Sequence, residues 1–154
     1  RDPHADAHAR AAADLSEQLM VTGRRVKSSL KAAARTVSGL EPEAVPLLLQ
    51  LRHGPSRVTD LADCVHVDVT RVSRLASGLV NAGFLDKTPD KDDRRSQVLS
   101  LTDEGRAAVA TLVAGREAWM RTLLHDWDIA AIEDFRAYLV RFGESVAAHP
   151  DRPI

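Results

Sequence analysis

The sequence predicts a mainly α-helical chain with one small antiparallel sheet of two or three strands. Three observations predict this class. Long stretches rich in Ala and Leu keep a helical spacing of apolar residues and are separated by Gly and Pro. Two short runs, Phe84 to Lys87 and Gln97 to Leu101, have strand character and bracket a polar segment. Two residues suited to capping helices, Asp68 and Thr102, stand directly before helical stretches.

Residues 5–36 contain no proline and only Gly23 as glycine, so they read as one long helix. Its second half carries Arg24, Arg25, Lys27, Lys31 and Arg35, with no acid between Glu17 and Glu41. That run suits a solvated or partner-facing surface; direct contact with a ligand or phosphate is the sharper reading. Gly39 punctuates, and Pro42 opens a helix to about Arg52, with Val45, Leu48, Leu49 and Arg52 on one stripe and Pro46 in its first turn. Gly54 and Pro55 end it.

Val58, Leu61, Ala62 and Val65 follow at i, i+3, i+4, i+7, a short amphipathic helix. His66 and Val67 make a tight link. Asp68 caps a helix that runs to about Ala82 and is stopped by Gly83. The connection Thr88–Ser96 between the two strands is too long and polar for a tight hairpin. Thr102 caps a helix to about His125, with Asp103 and Glu104 in its first turn, where negative charge suits the helix dipole. A last helix spans Ile129–Ala147 with Ile132, Phe135, Leu139 and Phe142 as its stripe, and the tail His149–Ile154 is expected to fray. No internal repeat or low-complexity segment is found.

The bulk properties bound the function. A chain of 154 residues fits one domain. With 44% apolar, 28% charged and only 4% aromatic residues, it has a soluble balance and a core of Leu, Val and Ala. The lone cysteine, Cys64, excludes an internal disulfide and a multi-cysteine zinc site, and suits a reducing cytoplasm. No run of 18 apolar residues and no charged-then-apolar leader is present, so neither membrane span nor signal peptide is expected. The chain begins at Arg1 and not at a methionine, so it is expected to be the ordered part of something longer. The formal net charge is −1. This excludes a protein that grips a polyanion with its whole surface; any such contact must come from a local concentration of Lys and Arg.

One helix has such a concentration. At about 100° per residue, Val69, Val72, Leu75, Ala76, Leu79 and Val80 fall on one side of 68–82. Thr70, Arg71, Ser73, Arg74, Ser77 and Asn81 fall on the other, with no acid beyond the cap. Hydroxyls, an amide and arginines can hydrogen-bond base edges and phosphates. Two short helices joined by a brief turn, the second so equipped, describe a helix-turn-helix. A plain solvated face fits the same pattern. The loop Asp90-Lys91-Asp92-Asp93-Arg94-Arg95-Ser96 adds an arginine pair between two strands, a wing able to reach the narrow minor groove. A solvated charged loop is the bland reading of that segment.

The order of long helix, short helix pair, Asp-Asp-Arg-Arg-Ser wing and Val-Leu-Ser-Leu-Thr-Asp-Glu-Gly (98–105) resembles the MarR family of winged helix-turn-helix regulators. Val67 to Leu75 is similar to that family's recognition helix, and Asn81-Ala82-Gly83-Phe84-Leu85 to its exit into the wing. The resemblance is tight over 58–106 and looser elsewhere. It implies one winged-helix domain over 1–154, with a DNA-binding lobe at 41–101, its wing at 84–101, and dimerisation helices at 5–38 and 103–148. It implies a homodimer on double-stranded DNA with a pseudo-palindromic operator, acting as a repressor released by a small aromatic or anionic ligand. Thr70, Arg71, Ser73 and Arg74 would face the major groove, Thr59 a phosphate, and Arg95 the minor groove, with Asp93 orienting Arg95 and Arg94 near phosphate.

Departures and silences matter too. Redox-sensing members carry a cysteine near the start of the first helix, which this chain lacks; Cys64, near Leu61 and Val65, is expected to be a buried structural thiol. His4 and His8 could form half a metal site but have no partners nearby in sequence, so no metal and no cofactor are expected. Nothing resembles a phosphate loop or a nucleophile elbow, so the chain is not expected to be an enzyme. Arg24, Arg25, His53 and Trp119 could hold a ligand by charge and ring stacking, although Trp119 suits a dimer core equally. The competing function is a winged helix that binds protein without reading DNA, which the near-neutral charge and the acids Asp86, Asp90, Asp92 and Asp93 favour.

Overall fold

The computed structural model of the chain describes residues 3–91, 93 and 96–149. The chain divides into two compact units, Arg1–Gly115 and Arg116–Ile154. The first begins with helix α1 (Pro3–Ala34), the stretch whose composition predicts it. Leu15, Leu19, Met20 and Val26 on this helix are exposed in the single chain.

The stretch 42–52, expected as one helix, is divided into a 3-10 turn at Pro42–Ala44, helix α2 (Val45–Gln50) and a second 3-10 turn at Leu51–His53. Pro46 explains the first break. It has no N–H to donate to the carbonyl four residues back, and Val45 donates to Pro42 at the tighter spacing.

Helices α3 (Val58–Val65) and α4 (Val69–Asn81) form the helix-turn-helix. The link is built by His66 at φ 53°, ψ 45°. From there the N–H groups of His66 and Val67 turn back to Asp63 and Ala62, which closes the end of α3. Asp68 then caps α4, its Oδ1 accepting from the Arg71 N–H at 2.8 Å. At the far end Gly83, at φ 80°, makes the left-handed turn. Gly83 donates to Val80 and Phe84 to Leu79, while the side chains of Phe84 and Leu79 are both buried.

The sheet has three strands in the order β1 (Ser56–Arg57), β3 (Gln97–Leu101), β2 (Leu85–Pro89), all antiparallel. Strand β2 runs two residues beyond Lys87, so that Pro89 pairs with Gln97 and the wing loop shortens to 90–96. Pro89 is tolerated because β2 is an edge strand. Leu48, Leu61, Val72 and Leu99 lose all solvent exposure, and Ala108, Val109 and Leu112 of helix α5 (Asp103–Leu123) complete this core.

Thr102 joins α5 to the exit of α4. Its hydroxyl donates to the Gly83 carbonyl at 2.7 Å and accepts from the Gly105 N–H at 2.9 Å. The Thr102 N–H donates to the Phe84 carbonyl at 3.1 Å.

The second unit holds the end of α5, which stops at Leu123 and not at His125, and helix α6 (Ile129–Ala147). Asp128 caps α6 through the Ala131 N–H at 2.7 Å. Trp127 and Phe135 meet edge to face at 5.6 Å. The α6 stripe is present, but Phe135, Leu139, Phe142 and Val146 are each more than 40% exposed in the single chain.

Two expectations about single residues are corrected. Cys64 is exposed, not buried. Val58, Leu61, Ala62 and Val65 define the inner side of α3, and Cys64 lies about 110° round the helix from their mean direction at 100° per residue. Val69 is 47% exposed, because as the first residue of α4 it lies at the rim of the core that begins with Val72. Among the described residues no helix is long and apolar enough to cross a membrane, and no three His, Cys, Asp or Glu side chains cluster as a metal site. The tail 150–154 lies outside the described residues.

Candidate nucleic-acid interface

Helix α4 buries Val72, Leu75, Ala76 and Leu79, and this fixes what its other side presents. Thr70, Arg71, Arg74, Ser77 and Asn81 are exposed, and Ser73 is half-buried. The Ser77 hydroxyl donates to the Ser73 carbonyl at 2.9 Å, so it is folded back onto the helix. Thr59 is exposed in the first turn of α3.

A cleft of about 240 Å³ lies between the two helix starts and the sheet. Thr59, Val69 and Ser73 line it from the helices, and Arg57, Lys87 and Gln97 from the strands. Two predicted residues, Thr59 and Ser73, thus share one concavity. Its other wall brings residues that the sequence does not single out. Arg57 is the residue before α3, whereas Lys87 on β2 comes near the start of α3 only once the strands pair.

Arg71 carries a partner from outside α4. Its guanidinium donates to Glu43 Oε2 at 2.7 Å, with both side chains about half exposed. The hydrogen bond from Arg71, and then its charge, hold the Glu43 carboxyl below the usual carboxylate range. Arg74 and Lys31 lower it further by charge, and the same pair raises Arg71. The helix has no acid of its own beyond its cap, as the sequence shows, but the fold supplies one.

At the base of the wing, Asp90 is 8% exposed and accepts from Arg57 Nε at 2.6 Å. Its other oxygen accepts from the Asp93 N–H at 3.2 Å. Asp93 Oδ2 accepts from the Ser96 hydroxyl at 2.8 Å, and the Ser96 N–H donates to the Asp93 carbonyl at 2.8 Å. Asp90 is therefore no free acid diluting the wing; it is neutralised by Arg57 and ties the loop to β1. Asp92, Arg94 and Arg95 lie outside the described residues.

The expected ligand residues lie on separate elements. Arg24 and Arg25 are exposed on α1, and His53 is exposed and accepts from Arg52 Nε at 3.0 Å. His53 borders, without lining, a cleft of about 280 Å³ formed by Arg52, Pro55, Ser100 and Arg106 among others. Trp119 is half-buried and belongs to the second unit.

A helix pair whose second member presents arginines and hydroxyls beside a three-stranded wing defines a winged helix-turn-helix protein. Residues 38–96 match the sequence model of the MarR family. That stretch is therefore similar to the MarR family, and the fold of the described residues agrees with it. The chain is 33% identical over 87 residues to the HTH-type transcriptional repressor MdtR of Bacillus subtilis (strain 168), over 56% of either chain. It thus spans about half the length of that relative. A second relative in the same organism, the HTH-type transcriptional regulator YxaD, is 26% identical over 133 residues, 86% of this chain and 93% of that protein. Among solved structures, a MarR family protein from Bacillus stearothermophilus superposes with a TM-score of 0.79 at 16% identity, over 90% of this chain and 97% of that one. At that identity the likeness is one of fold.

Proposed function

We propose that the chain is a sequence-specific DNA-binding transcriptional regulator that works in the cytoplasm as a homodimer on a pseudo-palindromic operator. The observation that carries this reading is the exposed side of α4, with Thr70, Arg71 and Arg74, set next to a cleft bearing Lys87 and Arg57. On this reading Arg71, Ser73, Arg74 and Thr70 face the major groove, and Thr59 meets a phosphate at the start of α3. Arg94 and Arg95 keep the phosphate and minor-groove roles that the resemblance gives them, with Asp93 orienting Arg95. The flanks 5–38 and 103–148 pair with a second copy. Their exposed apolar residues support that pairing, since such a stripe is unfavourable in water. The regulator acts as a repressor, and a small aromatic or anionic ligand releases it, with Arg24, Arg25, His53 and Trp119 as the residues that would hold it.

The test is a gel shift with the intergenic DNA upstream of the protein's own gene, run over a salt series. Binding should weaken steeply with salt, because phosphate contacts carry most of the affinity. Arg74→Ala should lower the preference for this DNA over random sequence by about 1–3 kcal/mol if the base contact is bidentate. The competing reading, a winged helix that binds protein, rests on the formal net charge of −1. It gains the field if no duplex is shifted at low salt.

A further inference from the structure

Glu43 stands on the 3-10 turn Pro42–Ala44, next to Ala44 and Val45, which are 2% and 4% exposed. The turn packs against both α1 and α4, so the backbone that carries Glu43 is held in place. From there its carboxylate reaches 28 positions along the sequence to take Arg71 at 2.7 Å. It also feels the charge of Arg74 one turn further along α4 and of Lys31 near the end of α1, while Asp68 acts on Arg71. One carboxylate thus bonds Arg71 directly and feels the charge of Arg74 and Lys31.

An exposed pair of this kind is weak, so a stronger acceptor can draw the guanidinium away. What it leaves behind differs between acceptors. If a phosphate takes Arg71, a bare carboxylate on a fixed turn is left facing a polyanion. A guanine edge also accepts Arg bidentately but is uncharged, so it repels the released Glu43 less than a phosphate does. We propose that Glu43 is a specificity-determining residue of this interface, which withholds Arg71 from the phosphate backbone and yields it to a bidentate base acceptor. The inference rests on the DNA-binding reading above.

The experiment compares the wild type, Glu43→Gln, Arg71→Ala and the double variant. Each is measured for affinity to a random-sequence duplex and to the upstream intergenic duplex over a salt series, with a thermal midpoint to check the fold. Glu43→Gln should bind the random duplex about two- to fivefold more tightly at low salt, the range that an exposed ion pair allows. Its log–log salt slope should steepen by about one as Arg71 takes up a phosphate. The preference for the intergenic duplex should fall, and the gain on random DNA should vanish in the Arg71→Ala background. Unchanged affinity of Glu43→Gln for random DNA overturns the proposal. An equal gain in the Arg71→Ala background also overturns it, because Glu43 would then be a general repulsive charge. If the wild type shows no salt-dependent binding to any duplex, the DNA-binding reading fails first and the inference with it.

Discussion

Gly105 shows how one missing atom holds the wing to the helices. The Phe84 carbonyl oxygen, already bonded to the Thr102 N–H, lies where a Cβ on Gly105 would stand, and Leu101 Cδ2 would be 3.2 Å from that Cβ. The blocking atom is backbone and cannot swing aside. Gly105→Ala should therefore cost about 1–3 kcal/mol, the usual range for overpacking, read as a lower urea midpoint at an unchanged m-value. The Glu43–Arg71 pair makes a prediction of a different kind. The Glu43 carboxyl is held below its ordinary value of 4.5, first by the Arg71 hydrogen bond and then by its charge. A carboxyl with a depressed folded-state pKa adds stability above its unfolded pKa and loses it as pH falls through the folded value. The stability gap between the wild type and Glu43→Gln should be present at neutral pH and close below about pH 4.5. Denaturant titrations at several pH values measure this, and a gap independent of pH would mean that the pair contributes nothing. Both pairings that organise the interface were illegible in the sequence for the same reason. Arg71 finds Glu43 across 28 positions and Arg57 finds Asp90 across 33, and no local pattern carries such distances. Asp68 and Thr102, by contrast, bond three residues ahead, and their roles could be read directly.

Elements were legible where their own residues decide them. Helices α3, α4 and α6 fall where periodicity puts them, since each has an apolar stripe of its own, and Asp68 and Gly83 also mark the ends of α4. Strand β1 was not located, because two residues, Ser56 and Arg57, carry no alternation and form a strand only by pairing with Leu99 and Val98. The sequence also predicts Val69 on the packed side of α4, and the helix wheel cannot see that the core ends one turn later. Helix α4 depends on its cap. Asp68→Ala would leave the Arg71 N–H without its acceptor at the end of the helix that carries Thr70, Arg71 and Arg74. We expect a loss of about 1 kcal/mol in stability. Amide exchange should speed up first at Arg71 and Val72, the two amides bonded to Asp68, ahead of the core residues Leu75 and Leu79. Equal acceleration along α4 would place the effect in global unfolding and not in the cap.

At the scale of the whole molecule, a net charge of −1 has to be reconciled with the proposed binding of a polyanion. Two features bear on it: Asp90 is paired with Arg57, and Glu43, the acid that the fold brings to the presented side of α4, is paired with Arg71. The footprint on one chain is still small, so affinity should depend on repeating it through a second copy. That makes the exposed stripe of α6 the part to test. Phe142 is 42% exposed in the single chain, between Leu139 at 49% and Val146 at 56%. A glutamate there would bring a charge into any interface built on this stripe, and burying an unpaired charge is unfavourable by several kcal/mol. If the proposed pairing uses this stripe, the wild type should sediment as a dimer and Phe142→Glu as a monomer at the same concentration, with its helical content unchanged. A monomer neutralises about half as many phosphates, so the salt slope of its DNA binding should fall to roughly half that of the dimer. A variant that remains dimeric would move the interface off α6, and a monomer that keeps the full slope would separate DNA binding from pairing.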